Sequence, residues 1–477
     1  MKKNISVRSE NAKKEFMELV SKYILPLFDV RGNLKCKCES VFNKELISIV
    51  KDNNNQTYAR FYPCIADEIT PSPFYCEVGI YSSTALKKPA SRILKELLKV
   101  TEYDCRNFSK KRNYGIGGKR QNSYKSRTLD LAFEIGMCQW IASNKEDATI
   151  LHTIISRMIE WSGKTYEGKS VPFGIVIDFE KEAALGAADY LHFLTNDSSA
   201  VFTDGIFTGI LLDKNGKVIS FLTRDDSREE KKYDKDIFVP YKFVDIAKYC
   251  RDSAIGVIVL TNGEILIIKD QAICFAKRGR NWVTFDWSRV YSNLRTYFLN
   301  GGSKNESDIK SNIQAIYCTL LDVSFSHTGG CLALVLPSKE KEIDNVIKER
   351  IDLFVTGTFA KGISLESREK IEVLTYLLGS PTNTMRSFFE IEKPLRKEIL
   401  SLDGATVVSM DGNFYCAGSI VAVNGGSSGG GRTAATKKLA EYGVGIKISE
   451  DGYIEAYGLN ILEQRNNLRI IPLFKFK

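Results

Sequence analysis

The residues of this 477-residue chain best suited to chemistry gather near its C-terminal end. Asp403-Gly404-Ala405 opens an apolar run. A carboxylate at a strand entrance can hold a divalent cation or orient a hydroxyl, and a neighbouring glycine lets a ligand approach the backbone. An ordinary β-turn is the plainer reading of the same pair. From Asn424 the chain runs through Gly425, Gly426, Gly429, Gly430 and Gly431 into Arg432-Thr433-Ala434-Ala435 and a helical pattern. A glycine-rich loop that enters a helix exposes amide groups and the positive helix end, which together cradle phosphates. A flexible linker is the alternative, although a linker does not normally end in an arginine at a helix start. Ser449-Glu450 follows an apolar strand and precedes the turn Asp451-Gly452. Its hydroxyl and carboxylate can join Asp403 around a phosphate-bound Mg²⁺ or Mn²⁺. No GxxxxGK[ST] loop is present, and Gly115-Ile116-Gly117-Gly118 follows no clear strand, which argues against a dinucleotide fingerprint. The three histidines, His152, His192 and His327, lie outside these motifs, which argues against a Ser-His-Asp arrangement there.

The elements that must position these residues read as a mixed α/β unit used twice. In the first copy a helical pattern (Leu151, Ile154, Ile155, Met158) precedes the buried-strand run 173–178. Asp204-Gly205 then leads into a hairpin, and a second hairpin with a two-residue turn is expected over 255–267. The second copy repeats the order with a helix through Ile313, Ile316, Tyr317 and Leu320, the strand 331–336, Asp403-Gly404 before a hairpin, and a last hairpin over 444–455. Residues 1–145 form a separate region. It has an opening amphipathic helix (Phe16, Leu19, Val20, Tyr23, Ile24), short strands at 58–63 and 74–81, and a helix at 89–100.

At about 150 residues per domain this length suggests three domains, and the division expected is 1–145, 146–300 and 301–477. With 43% hydrophobic and 26% charged residues the composition is that of a folded, soluble protein. No window reaches 18 consecutive apolar residues, and the first 16 residues are polar where a signal peptide carries its apolar stretch. The expected location is therefore cytoplasmic, with no membrane partner. Eleven scattered cysteines and three histidines read as free, mostly buried thiols rather than a zinc site. A net charge of +9 allows an anionic partner without demanding one. Residues 109–127 hold seven positive side chains and no acid, with Tyr114 and Tyr124 among them. This stretch reads as a solvated loop, with nucleic-acid binding as the alternative.

The order of helix, strand 331–336, Asp403-Gly404-Ala405, Arg432-Thr433-Ala434-Ala435 and Ser449-Glu450 resembles the diadenylate cyclase domain of the DNA-integrity-scanning and membrane-associated cyclases. That family joins two ATP molecules into cyclic di-AMP with a divalent metal. Its hallmarks are an Asp-Gly-Ala motif, a Gly-Thr-Arg-His-Arg motif at a helix start, and a Ser-Glu pair near the last hairpin. The resemblance covers about residues 305–460. It implies a central mixed sheet flanked by helices, preceded by a related degenerate unit and an N-terminal α+β region. It further implies ATP as substrate, Mg²⁺ or Mn²⁺ held by Asp403 and Glu450, and catalytic roles for Asp403, Gly404 and Arg432. Ala405, Gly429, Gly430, Gly431, Arg432, Thr433, Ser449 and Glu450 would bind nucleotide. Two C-terminal units would pair in a homo-oligomer, each presenting one ATP. The second hallmark departs from the pattern, because Gly430 and Gly431 stand where its first arginine and its histidine belong, or Thr433 and Ala434 replace His-Arg if the helix is shifted. The departure bears on turnover more than on binding. A nucleotide-sensing protein without catalysis is the alternative function. The first copy keeps Asp204-Gly205 but has Leu260-Thr261 in place of Ser-Glu.

Overall fold

The computed structural model describes residues 13–28, 30–38, 45–52, 56–63, 74–80, 87–110, 118–142, 144–166, 169–190, 192, 203–223, 236–343, 345–347, 365–378, 386–423, 430–461 and 469–476. The fold is mixed α and β, as expected. Two compact units are present. One comprises residues 1–224, 248–270 and 274–284, and the other 225–247, 271–273 and 285–477.

In the first unit an antiparallel sheet has the order β1–β4–β3–β2, formed by β1 (Val30–Cys38), β2 (Ile47–Lys51), β3 (Thr57–Phe61) and β4 (Phe74–Ile80). Phe61, Phe74, Cys76 and Val78 turn inward and pack with Phe16, Val20 and Ile24 of the opening helix. Helices α1 (Lys87–Lys110) and α2 (Gly118–Ile141) come next. They approach closely at Gly136, where a Cβ would lie 2.6 Å from the Ile93 Cα. Much of the expected basic loop is thus helical, and its centre, 111–117, lies outside the described residues. Helix α3 (Lys145–Ser162) starts where the Asn144 side chain accepts the Asp147 amide, with Glu146 and Asp147 favouring the positive end. Its buried face (Leu151, Ile154, Ile155, Met158) enters the same apolar core as Phe16 and Phe61. The expected boundary at 145/146 therefore falls inside one core rather than between two.

A small hairpin, β5 (Thr165–Tyr166) with β6 (Lys169–Ser170), precedes β7 (Phe173–Asp178). A seven-stranded sheet then has the order β13–β12–β11–β10–β7–β8–β9, built from β8 (Thr208–Asp213), β9 (Val218–Thr223), β10 (Ala254–Val259), β11 (Ile265–Lys269), β12 (Ala272–Arg278) and β13 (Asn281–Thr284). Strand β7 is buried along its whole length, which explains its unbroken apolar run.

The second unit contains helices α4 (Trp287–Asn300) and α5 (Glu306–Ser324), then β14 (Gly330–Val335), α6 (Leu365–Leu378), α7 (Lys393–Leu400), β15 (Ala405–Ser409), β16 (Phe414–Ser419), α8 (Gly431–Ala440), β17 (Gly443–Ile448), β18 (Ile454–Leu459) and β19 (Ile470–Phe476). Its sheet order is β16–β15–β14–β17–β18–β19. The internal repeat is visible in the strand order. Both sheets run hairpin, central strand, hairpin, and each central strand pairs parallel with the next strand and antiparallel with the third. Both final hairpins close with three-residue loops, not the expected two. The Leu260 amide bonds the Glu264 carbonyl, and the Ser449 amide bonds that of Tyr453. Gly263 (φ +78°) and Gly452 (φ +79°) supply the left-handed residue that such loops require.

The eight cysteines whose side chains are described are free and, apart from Cys36, buried. Burial pushes the Cys331 thiol up to about 11 and the Cys416 thiol to about 12, so both stay protonated.

Helix α8 lies against β17 at Gly445, where a Cβ would come within 2.2 Å of the Thr436 carbonyl oxygen. Gly445→Ala must push the helix backbone away. We expect it to lower stability by about 2 kcal/mol in urea unfolding, in the range of other overpacking changes. An unchanged midpoint would show that α8 is not held at that distance.

Candidate functional site

The pairing of β14 decides what meets at one edge of the second sheet. Leu332 pairs in parallel with Thr406, so continuing the register backwards sets Asp403 level with Gly329. Gly330 pairs with Ile448 in the antiparallel ladder, and Ser449 and Glu450 therefore leave the sheet at that same edge. Helix α8 runs back along β17 and brings its N-terminus there. The Arg432 guanidinium rests on Gly329, where a Cβ would lie 2.5 Å from Nη1, and that Nη1 is 3.7 Å from Glu450 Oε1. Gly329 (φ +72°) thus serves both the turn and the close approach of the guanidinium.

The residues singled out in the sequence occupy different environments. Asp403 is exposed, and its carboxylate makes no hydrogen bond or ion pair with the described residues. Gly404 (φ +105°) sits where a Cβ would meet the Gly418 carbonyl carbon at 2.5 Å, so it fixes the entrance to β15. Ala405 is buried in that strand and pairs with Ser419. Gly429 lies outside the described residues. Gly430 (φ +81°) caps α8 without a side chain, and a Cβ at Gly430 or Gly431 would meet nothing within 4 Å. Thr433 is buried and accepts a hydrogen bond from Lys447 Nζ at 2.9 Å. The Ser449 hydroxyl accepts the Tyr453 amide at 3.1 Å, which ties it into its own loop. Glu450 is largely exposed, with three quarters of its side chain accessible. The edge therefore joins two accessible carboxylates, an arginine and a helix start capped by glycine.

Sequence reasoning missed the groups that stitch this edge together. The Ser324 hydroxyl donates to the Gly452 carbonyl at 2.5 Å, and His327 Nδ1 lies 2.8 Å from the Glu450 carbonyl oxygen. Thr328 Oγ1 meets Ser401 Oγ at 2.8 Å, two residues before Asp403. Lys370 of α6 donates to the Gly418 carbonyl at 2.8 Å, beside the Asp403 backbone, and brings a second positive charge. The stretch His327-Thr328-Gly329-Gly330 was the available signal, but a short polar link before a strand looks like any other connection.

Among the described residues no group of three or more His, Cys, Asp or Glu side chains is arranged to hold a metal ion. Mg²⁺ and Mn²⁺ are nonetheless satisfied by one or two carboxylates together with substrate phosphates and water, and the oxygen donors of Asp403 and Glu450 fit that set.

In the first unit the described residues at the matching edge differ. Ile175 pairs with Ile210 as Leu332 pairs with Thr406, and in each case the upper residue lies third in its central strand. The residue level with Asp403 is then the half-exposed Phe207, not Asp204. Asp204 Oδ1 accepts the amides of Ile206, Phe207 and Thr208, each at 2.9 Å. Burial would raise its carboxyl, but these bonds and the Thr208 hydroxyl outweigh it and hold the group below the usual aspartate range. The two Asp-Gly pairs therefore occupy different register positions, and Asp204 serves its own turn.

Among carboxylates in the second unit, Asp322 in the last turn of α5 is strongly perturbed. Burial pushes it up to about 7, against the lowering influence of the Tyr241 amide, which it accepts at 2.5 Å, and of Lys393, Arg396 and Lys397. The raised value means that the folded state keeps a proton the unfolded state has lost. Stability should fall as pH climbs from about 4 towards about 7 and level off above that. Asp322→Asn preserves the acceptor and should flatten this part of the profile. Urea unfolding at pH 5 and pH 8 checks it, and an equal slope in both proteins would contradict the assignment.

No helix among the described residues is long and apolar enough to cross a membrane. No protein-family model, curated protein or solved structure matches this chain, so the reading of the edge rests on its own residues.

Proposed function

We propose that the edge formed by Asp403, Arg432 and Glu450 binds a nucleoside triphosphate and supports the joining of two ATP molecules, each 3′-hydroxyl attacking the α-phosphate of the other and displacing pyrophosphate, to give cyclic di-AMP or a related dinucleotide. The observation that carries this reading is the convergence of a carboxylate unpaired among the described residues, an arginine and the glycine-capped N-terminus of α8 on one sheet edge. Asp403 accepts the hydrogen bond of an attacking 3′-hydroxyl and can take its proton. Arg432 and the first amides of α8 neutralise phosphate oxygens, with Lys370 acting from the Gly418 side. Asp403 and Glu450 would hold Mg²⁺ or Mn²⁺, which would supply further charge neutralisation. Such chemistry is mostly positioning, and the histidine of this edge, His327, is tied to the Glu450 carbonyl.

Joining two nucleotides needs two such edges. The first unit presents Phe207 and Leu260-Thr261 at the matching positions, so the second edge belongs to another copy of the chain. A sensor that binds nucleotide without turnover is the second reading, favoured by Gly430 and Gly431 in place of Arg-His and by the Ser449 hydroxyl being engaged in its own loop.

Asp403→Asn should reduce product formation from ATP and Mn²⁺ by roughly a hundredfold or more while the fold survives, since the amide keeps the shape and loses the charge. Mass spectrometry of the products checks this, and undiminished turnover would remove Asp403 from the mechanism. Specific activity of the unaltered protein should also rise with protein concentration across a dilution series. Constant activity from a strict monomer would defeat the two-chain arrangement, and tight nucleotide binding with no product at any concentration would select the sensor.

A further inference from the structure

The open face of the four-stranded sheet in the first unit is built unlike its inner face. Lys35, Glu77 and Arg60 form one cross-strand row, and Gly79, Tyr58 and Val50 form the next. A register shift in β1 between residues 31 and 35 bends that strand, and Gly79 adds no side chain, so the face is concave. The resulting cavity has a volume of about 450 Å³ and is lined by Lys35, Lys51, Tyr58, Arg60 and Glu77, among others.

The charges in the cavity are unequal in kind. Glu77 is buried and takes ion pairs from both Lys37 and Arg60, the second at 2.8 Å. Burial would raise its carboxyl, but the bonds from Lys37 and Arg60 outweigh this and keep it ionised. Arg60 also stacks on Tyr75, 4.9 Å from the ring centre. Asp52 accepts the Gln56 amide at 2.8 Å. The acids are thus held within the protein's own contacts. Lys35 and Lys51 are exposed and pair with no acid among the described residues. Four cations against two carboxylates leave an excess of positive charge around a half-buried tyrosine ring.

We infer that this cavity is a second binding site, for a free phosphorylated ligand of nucleotide size whose phosphates meet Lys35 and Lys51 and whose ring lies on Tyr58. The volume falls within the range of small-molecule sites and suits one nucleotide better than a strand. Tyr62 and Tyr75, the other aromatic residues of this face, are buried, which leaves one ring for stacking where a bound strand would use several. The inference does not depend on the edge at Asp403.

The test uses the full chain carrying Arg432→Ala, with ATP as probe and EDTA present, so that metal-dependent binding at the other edge is suppressed. Calorimetry should show ATP binding that weakens with salt, with adenosine and tripolyphosphate each weaker than ATP. Reversing both charges, Lys35→Glu with Lys51→Glu, should reduce affinity by at least about tenfold, and Tyr58→Ala should weaken it with thermal unfolding unchanged. Absence of ATP binding, or equal affinity in the charge-reversed variant, would overturn the site. Tighter binding of an oligothymidylate, increasing with its length, would overturn it in favour of a nucleic-acid strand. Failure of the Asp403 reading leaves all of these results untouched.

Discussion

A central strand that pairs parallel on one side and antiparallel on the other imposes most of the architecture of the C-terminal unit. Because β14 and β15 run together, both begin at one edge, and because β17 runs against them, it ends there. These strand directions bring Asp403, Gly329 and Glu450 to the same boundary. The helix between β16 and β17 must return along the sheet, and its positive end is delivered to the same place. The resulting concentration of chemistry is a product of topology, and loop residues add only the side chains.

The N-terminal unit repeats this strand order with one further edge strand, and its described residues at the matching edge positions differ in chemistry. Backbone pairing tolerates any residue that keeps the burial pattern, whereas a site needs particular atoms at particular register positions. Phe207 at the level of Asp403 and Leu260 at that of Ser449 keep the hairpins and lose every charge. Asp204 illustrates the difference, since its Oδ1 is taken up by the amides of the turn it caps.

Periodicity made the strands legible in the sequence. The runs at 173–178 and 331–336 read as buried strands because both faces are covered, and the amphipathic stripe at Leu151 reads as a helix because only one face is, whereas the helix through Ile313 is buried all round from Ile316 to Ser324. Domain limits were not legible, because the apolar face of α3 gives no indication of which neighbour it will meet, and it joins the core of the preceding region. The glycine-rich run hid its reasons too. Gly430 is required by a positive φ, Gly431 by nothing nearby, and Gly329, which the Arg432 guanidinium needs, lies a hundred residues upstream in a short polar link. Lys370 was invisible for the same cause, being one lysine on a charged helix until the fold carries it to Gly418.

The pairing of β14 also bears on how the chain reaches its native state. Each outer hairpin closes over a few residues, but Leu332 must find Thr406 on one side and Ile446 on the other, both far along the chain. Closing such loops costs entropy before any contact compensates for it, so hairpins can form early while the strand between them docks late. Until it does, the inner edges of β15 and β17 present unpaired amides and carbonyls to any other extended segment. A nascent chain of this protein is therefore most exposed to mispairing with a second chain in the interval before its central strand is inserted.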